Sequence, residues 1–188
     1  MSFSANLGSD QLLIPSVVWT APSQWYAVHT RSNFEKRVTA DLEEKGVENY
    51  LPAQIAQHQW KDRRKTITSP LFPGYVFCRI EDTPQARLPV LRTPGVVRIL
   101  GSGGNISPVP DVQIDAIRRV LQSDLPCFPH TYLRHGSAVR VKSGPLRGIA
   151  GVLVQTKSKT RLVLSVELLC QSVAAEVDAA DVEALSFT

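Results

Sequence analysis

The chain has little of what redox or metal chemistry needs. Its three cysteines, Cys78, Cys127 and Cys170, stand far apart with no Cys-x-x-Cys pair. The spacing encodes neither a disulfide framework nor a zinc knuckle, and a reducing cytoplasm is the expected compartment. His29, His58, His130 and His135 lack ligand spacing, and no Ser, Cys or carboxylate beside them forms a nucleophile elbow. No metal, cofactor or enzymatic activity is therefore expected. No apolar run approaches the ~18 residues of a membrane span, so no membrane partner is expected. The first residues carry Asp10, lack a basic start and offer only broken apolar runs such as Leu12 to Pro15, which argues against a signal peptide. The glycine-rich stretch from Gly144 to Gly151 lacks the Gly-Lys-Ser/Thr ending of a phosphate loop, and tight turns between strands explain it better.

What is present is ordinary globular material. Of 188 residues, 43% are apolar, enough to bury a core in one domain or two small ones. A net charge of +4 is mildly basic and favours a polyanion among the partners without marking a dedicated nucleic-acid binder.

Met1 to about residue 22 shows no sustained period and reads as a loosely ordered extension. Trp25 to His29 is a β-rich run. Ser32 with Glu35 has capping-box spacing, and Phe34, Val38 and Leu42 mark the inward face of a helix ending near Lys45, with Gly46 at C′. Tyr50 to Pro52 and Ile55 to Trp60 read as strands. Lys61 to Lys65 reads as an exposed hairpin turn before a return strand at Thr66 to Thr68. Tyr75 to Ile80 is a strand, Thr83-Pro84 opens a short helix interrupted by Pro89, and Val96 to Leu100 is a further strand. Pro110 to Leu121 is a helix with Ile114, Ile117 and Leu121 inward. Residues 124 to 132, with Pro126 and Pro129, read as a linker. Short alternating strands and glycine turns from residue 133 to 188 suggest a small barrel.

Three groups could carry function. Lys61, Arg63, Arg64 and Lys65 could neutralise phosphates, although a solvated turn explains them equally well. Arg31 and Arg37 could extend a basic face, with surface solvation the plainer reading. Phe72, Tyr75 and Phe77 could line an apolar docking pocket, with Gly74 permitting close backbone approach. Alternation puts Tyr75 and Phe77 on one sheet face, where they could equally be plain core, and Phe72, before Pro73, is expected to be partly exposed.

Leu71-Phe72-Pro73-Gly74-Tyr75-Val76-Phe77, placed after Trp25-Tyr26 with its helix and before Thr93-Pro94-Gly95-Val96, the helix at Pro110 to Leu121 and Gly144-Pro145-x-x-Gly148-x-x-Gly151-Val152, resembles the NusG family of transcription elongation factors. The resemblance spans Trp25 to Glu183. It implies an α+β fold: an N-terminal NusG-type domain at 23–123, an antiparallel sheet flanked by helices, and a C-terminal KOW domain at 133–188 as an SH3-like β-barrel.

It further implies a monomeric factor that docks on the clamp helices of the largest RNA polymerase subunit and suppresses pausing or termination. By position, the pocket would draw on Phe72, Pro73, Tyr75, Phe77, Val97 and Ile99. Arg31 and Arg37 would lie toward the non-template DNA strand or the polymerase, and Gln85 to Leu88 toward the opposite channel wall. Housekeeping members contact Rho or a ribosomal protein through an apolar residue followed by Gly-Arg. Leu169-Cys170-Gln171 stands at that place and departs at its last two residues. The texture is more similar to specialised UpxY-type and RfaH-like paralogues, which implies an operon-specific antiterminator, as of surface-polysaccharide operons. A general factor coupling polymerase to Rho or the ribosome, and a KOW-type RNA-binding or ribosome-associated protein, are the alternatives. RfaH folds its C-terminal domain as a helical hairpin before recruitment. Here Val152 to Val154, Val163, Leu164 and Val166, with the glycines at 144, 148 and 151, favour strands throughout.

Overall fold

Strand β1 (Gln24–Thr30) is buried along nearly its whole length because it is central to the first sheet. It pairs antiparallel with β5 (Tyr75–Ile80) on one side and β6 (Val96–Ile99) on the other. Strand β2 (Glu48–Tyr50) extends the sheet beyond β5, and β9 (Pro108–Val109) pairs with the start of β1. The computed structural model describes residues 22–60, 63–123, 125–131, 136–155, 160–166, 169 and 171–185. The extension expected at 1–22 lies outside them but for its last residue.

Two-residue alternation divides this sheet into two apolar faces. Tyr26, Val28, Val76, Cys78, Ile80 and Ile99 point to one face. Val38 and Leu42 of α1 (Glu35–Glu44) and Val90 of α2 (Pro84–Leu91) cover them. Trp25, Ala27 and Phe77 point to the other, under Ile114, Ile117 and Val120 of α3 (Asp111–Gln122). Each such fully buried aliphatic side chain contributes about 1.5–3 kcal/mol relative to exposure. Two further hairpins form separate two-stranded sheets: β3 (Ala53–Trp60) with β4 (Arg63–Pro70), and the small pair β7 (Gly101–Ser102) and β8 (Asn105–Ile106).

The C-terminal domain is built of strands. β10 (Cys127–Thr131), β11 (Ser137–Val141), β12 (Ala150–Gln155), β13 (Thr160–Val166), β14 (Gln171–Glu176) and β15 (Val182–Ala184) form a six-stranded antiparallel sheet in the order β10-β14-β13-β12-β11-β15. Val139, Val141, Leu162, Leu164, Val173 and Ala175 supply its buried residues.

Several local expectations are corrected. The stretch read as a linker carries β10, paired in register with β14 from Cys127↔Ala175 to Thr131↔Gln171, because the β14 edge would otherwise leave its backbone groups unpaired. Of the turn expected at 61–65, Arg63, Arg64 and Lys65 belong instead to β4, which begins at Arg63 opposite Trp60, and Lys61 lies outside the described residues. The strand expected at Tyr50 to Pro52 lies at Glu48–Tyr50. The Ser32–Glu35 capping box does not form. Phe34 is the N-cap, without a side-chain cap bond, and Glu35 is engaged elsewhere. Thr83, by contrast, caps α2 as read, its hydroxyl accepting from the Ala86 amide at 3.2 Å.

Candidate functional site

The segment between β4 and β5 is pinned from several directions. Leu71 N–H donates to Pro52 O at 2.8 Å, and Tyr75 N–H donates to Phe72 O at 3.1 Å, closing a turn in which Gly74 takes φ +83°. Thr30 N–H donates to Gly74 O at 2.8 Å. Gly74 N–H donates to the Glu35 carboxylate at 2.7 Å, and Glu35 is buried. A charged acceptor in a dry setting makes a strong hydrogen bond, so the helix start and the turn are fixed to one another.

This geometry folds Phe72 inward. Expected to be partly exposed, it is 1% exposed and meets Phe77 edge-on, with ring centroids 6.0 Å apart at 87°. Residues directly opposite on paired strands share a face, so three rows cross the sheet here. Arg79, Trp25 and Val109 form one, with Glu48 beyond Arg79; Tyr50, Phe77 and Ala27 form the second; Tyr75, His29 and Arg98 form the third. Tyr75 and Phe77 therefore share a face, as alternation requires, and Trp25 lies on it with them. The Arg118 guanidinium carbon sits 4.9 Å from the Trp25 ring centroid and 5.0 Å from that of Tyr50. Burial pushes the Tyr50 hydroxyl up to about 12, against the opposing pull of Arg118.

The structure does not bring every expected residue to this face. Ile99 packs on the opposite side with Val28 and Val76. Between His29↔Arg98 and Thr30↔Val96 the register shifts, and Val97 is the extra residue of this bulge, 52% exposed. Pro73 is exposed at the turn. Arg37 lies on α1, across the sheet from the aromatic face, paired with Asp41 at 3.9 Å. Arg31 is exposed just after β1, its amide donating to Gly95 O at 2.8 Å. The side chains of Arg63, Arg64 and Lys65, and all of Lys61 and Cys170, lie outside the described residues. Trp25, His29, Arg98 and Glu35 were missed. The β1 alternation could have found the first two; Arg98 depends on the bulge and Glu35 on a contact 39 residues distant in sequence.

The aromatic face lies under α3 and belongs to an apolar cluster that continues into the C-terminal domain. One continuous apolar cluster joins Trp25, Phe72 and Phe77 to Val139, Leu146, Ile149, Leu162 and Leu169 of the C-terminal domain. Arg119 of α3 donates from Nη2 to two carbonyls of the glycine turn, Arg147 O at 2.6 Å and Pro145 O at 3.1 Å. Gly144 and Gly148, at φ +79° and +86°, bend that turn so that both carbonyls reach one guanidinium. The Cys127 thiol lies 3.5 Å from Gln54 Oε1, a further contact between the two units. Leu169, expected in a partner loop, is buried in the shared cluster, and Gln171 is half-buried at the start of β14. Among the described residues no His, Cys, Asp and Glu side chains gather in a group able to hold a metal, and no helix is long and apolar enough to cross a membrane.

Comparison with known proteins gives concordant results. Residues 23–118 match the family model described as NusG, transcription termination factor. The transcription termination/antitermination protein NusG of Staphylococcus carnosus strain TM300 is 30% identical over 175 residues, covering 86% of this chain and 96% of that protein. The same figures hold for NusG of Staphylococcus aureus strain Mu50. A solved structure described as domain interaction in Thermotoga maritima NusG is 23% identical, covers 87% of this chain and 98% of its own, and superposes with a TM-score of 0.56, which supports the two-part fold. With an α+β N-terminal unit carrying the matched segment and a β-rich unit following it, this chain belongs to the NusG family of transcription termination/antitermination factors.

Proposed function

We propose that the protein acts as a binding factor rather than an enzyme, engaging RNA polymerase at the clamp helices of its largest subunit through the Phe72–Tyr75–Phe77 face and suppressing pausing or termination. The observation that carries this reading is the convergence of Trp25, Phe72, Tyr75 and Phe77 on one sheet face, fixed by the Glu35-bound turn. Rigid aromatic anchors in a preformed site are what a tight protein interface uses. That face belongs to one apolar cluster with the C-terminal domain, and in this reading the C-terminal domain moves away on full engagement.

An operon-specific role is favoured over a general one by Leu169. A general factor would present this residue to Rho or a ribosomal protein, whereas here it is 5% exposed and packed in the shared cluster. Recruitment at particular operons would supply the free energy to open the molecule.

The test is binding to an RNA polymerase elongation complex, wild type beside Tyr75→Ala, with a free clamp-helix fragment as competitor. Saturable binding that is lost in the variant and blocked by the fragment is the expected result. Binding indifferent to both, or none, overturns the polymerase reading and favours an RNA- or ribosome-directed role.

A further inference from the structure

The closed arrangement does not cover the aromatic face evenly. Phe72 and Phe77 are sealed, but the third row stays open: Tyr75 and His29 are half-buried and Arg98 is exposed. The rings of His29 and Tyr75 lie against one another, with centroids 5.3 Å apart and planes tilted by 36°. Arg98 stands beside His29 across β1 and β6, at the bulge that pushes Val97 outward. Arg31 is exposed at the same end of β1.

This edge is cationic and uncompensated. Among the described residues no carboxylate pairs with Arg98 or Arg31. Glu35, near the turn, has its carboxylate engaged by the Gly74 amide and is buried. A free guanidinium at the rim of an apolar site selects an acidic partner and speeds its arrival, because rim charges act mainly on association rate. The edge is continuous with an aromatic floor, which suits apolar side chains on a helix surface better than a phosphate backbone.

We propose that the Tyr75–His29–Arg98 edge is the docking contact by which an acidic helical surface first engages the closed protein, with Arg98 as the steering residue. The inference rests on the polymerase reading, whose clamp helices would supply that surface. Contact at the open edge precedes displacement of the C-terminal domain from Phe72 and Phe77.

The experiment follows association of full-length protein with RNA polymerase core enzyme from the same source by stopped-flow fluorescence at low and high salt. Arg98→Glu is expected to slow association roughly tenfold at low salt, with the deficit shrinking as salt screens the charge. Arg98→Lys should stay close to wild type. Arg140→Glu, an equal charge change on the exposed side of β11, should leave the rate unchanged. Arg98→Glu within twofold of wild type, while Tyr75→Ala still abolishes binding, overturns this inference and leaves the polymerase reading intact. Absence of wild-type binding removes both. Should Arg98→Glu spare polymerase association yet weaken binding of a single-stranded DNA oligonucleotide, the edge serves nucleic acid and the proposal is wrong.

Discussion

The Glu35 carboxylate accepts a hydrogen bond from the Gly74 amide at 2.7 Å, joining the first turn of α1 to the turn that carries Phe72 and Tyr75. Removing it leaves a part-buried amide without its acceptor. Glu35→Ala is expected to cost about 1–3 kcal/mol of stability by urea denaturation. Glu35→Gln, which retains an acceptor oxygen of similar reach, should recover most of this. The Gly74 amide proton should exchange faster in the Ala variant than the global stability loss explains. Equal losses in both variants, or unchanged Gly74 exchange, would show that the contact does not fix the turn.

That contact also shows where sequence reading reaches its limit. Periodicity located β1, β5 and α3, because Trp25/Ala27, Tyr75/Phe77 and Ile114/Ile117 follow the two- and 3.6-residue repeats of buried faces. Gly46, at φ +70°, ends α1 as its position implied. Ser32 and Glu35 have the spacing of a capping box, but that is a local signal. A distant, part-buried amide competed for the same carboxylate and won. Ile99 was misplaced in the same way: a one-residue bulge at Val97 resets the register, and no residue type announces it. β10 hid behind Pro126 and Pro129, since a proline is tolerated at a sheet edge and β10 is one.

Gly95 is a second fixed point of the site. It holds φ +96°, and a Cβ added there would lie 2.5 Å from Phe34 Cδ1, while its carbonyl accepts from Arg31 N–H at 2.8 Å. Strain and clash act together in Gly95→Ala, which should lose about 1–3 kcal/mol. Phe34→Leu in the same chain should restore part of it by removing the ring. A double-variant cycle by thermal denaturation measures the coupling, and additive losses would mean the Phe34 contact is not the cause.

The Cys78 thiol is buried in the α1 face of the sheet, and burial pushes it from 9.0 up to about 12. Below pH 9 it is protonated in both folded and unfolded chains and stability is insensitive to it. Between about 9 and 12 only the unfolded chain releases the proton, so stability falls as pH rises, by about 1.4 kcal/mol per pH unit from this group. Tyr50, raised from 10.0 to about 12, adds a similar slope over the upper part of that window. Urea denaturation at intervals from pH 8.5 to 11 should show a shallower slope for Cys78→Ala than for wild type, whatever the loss at neutral pH from the vacated volume. Parallel slopes would mean the thiol ionises without unfolding.

Arg119 offers the most direct access to the closed state. Its guanidinium holds Pro145 O and Arg147 O together, and both bonds cross from α3 to the glycine turn of the C-terminal domain. The bonds are solvent-exposed, so their net worth is modest, on the order of 1 kcal/mol each, enough to shift a two-state opening several-fold to tenfold. Arg119→Ala should therefore populate the open form without unfolding either domain. Distance distributions between spin labels placed on exposed positions of α1 and β11 should broaden toward longer separations. Polymerase affinity should rise by up to the same factor, because less free energy is needed to uncover Phe72 and Phe77. The sign of that second change is decisive. If the distances lengthen and affinity falls or stays constant, the covered face is not the one that polymerase uses.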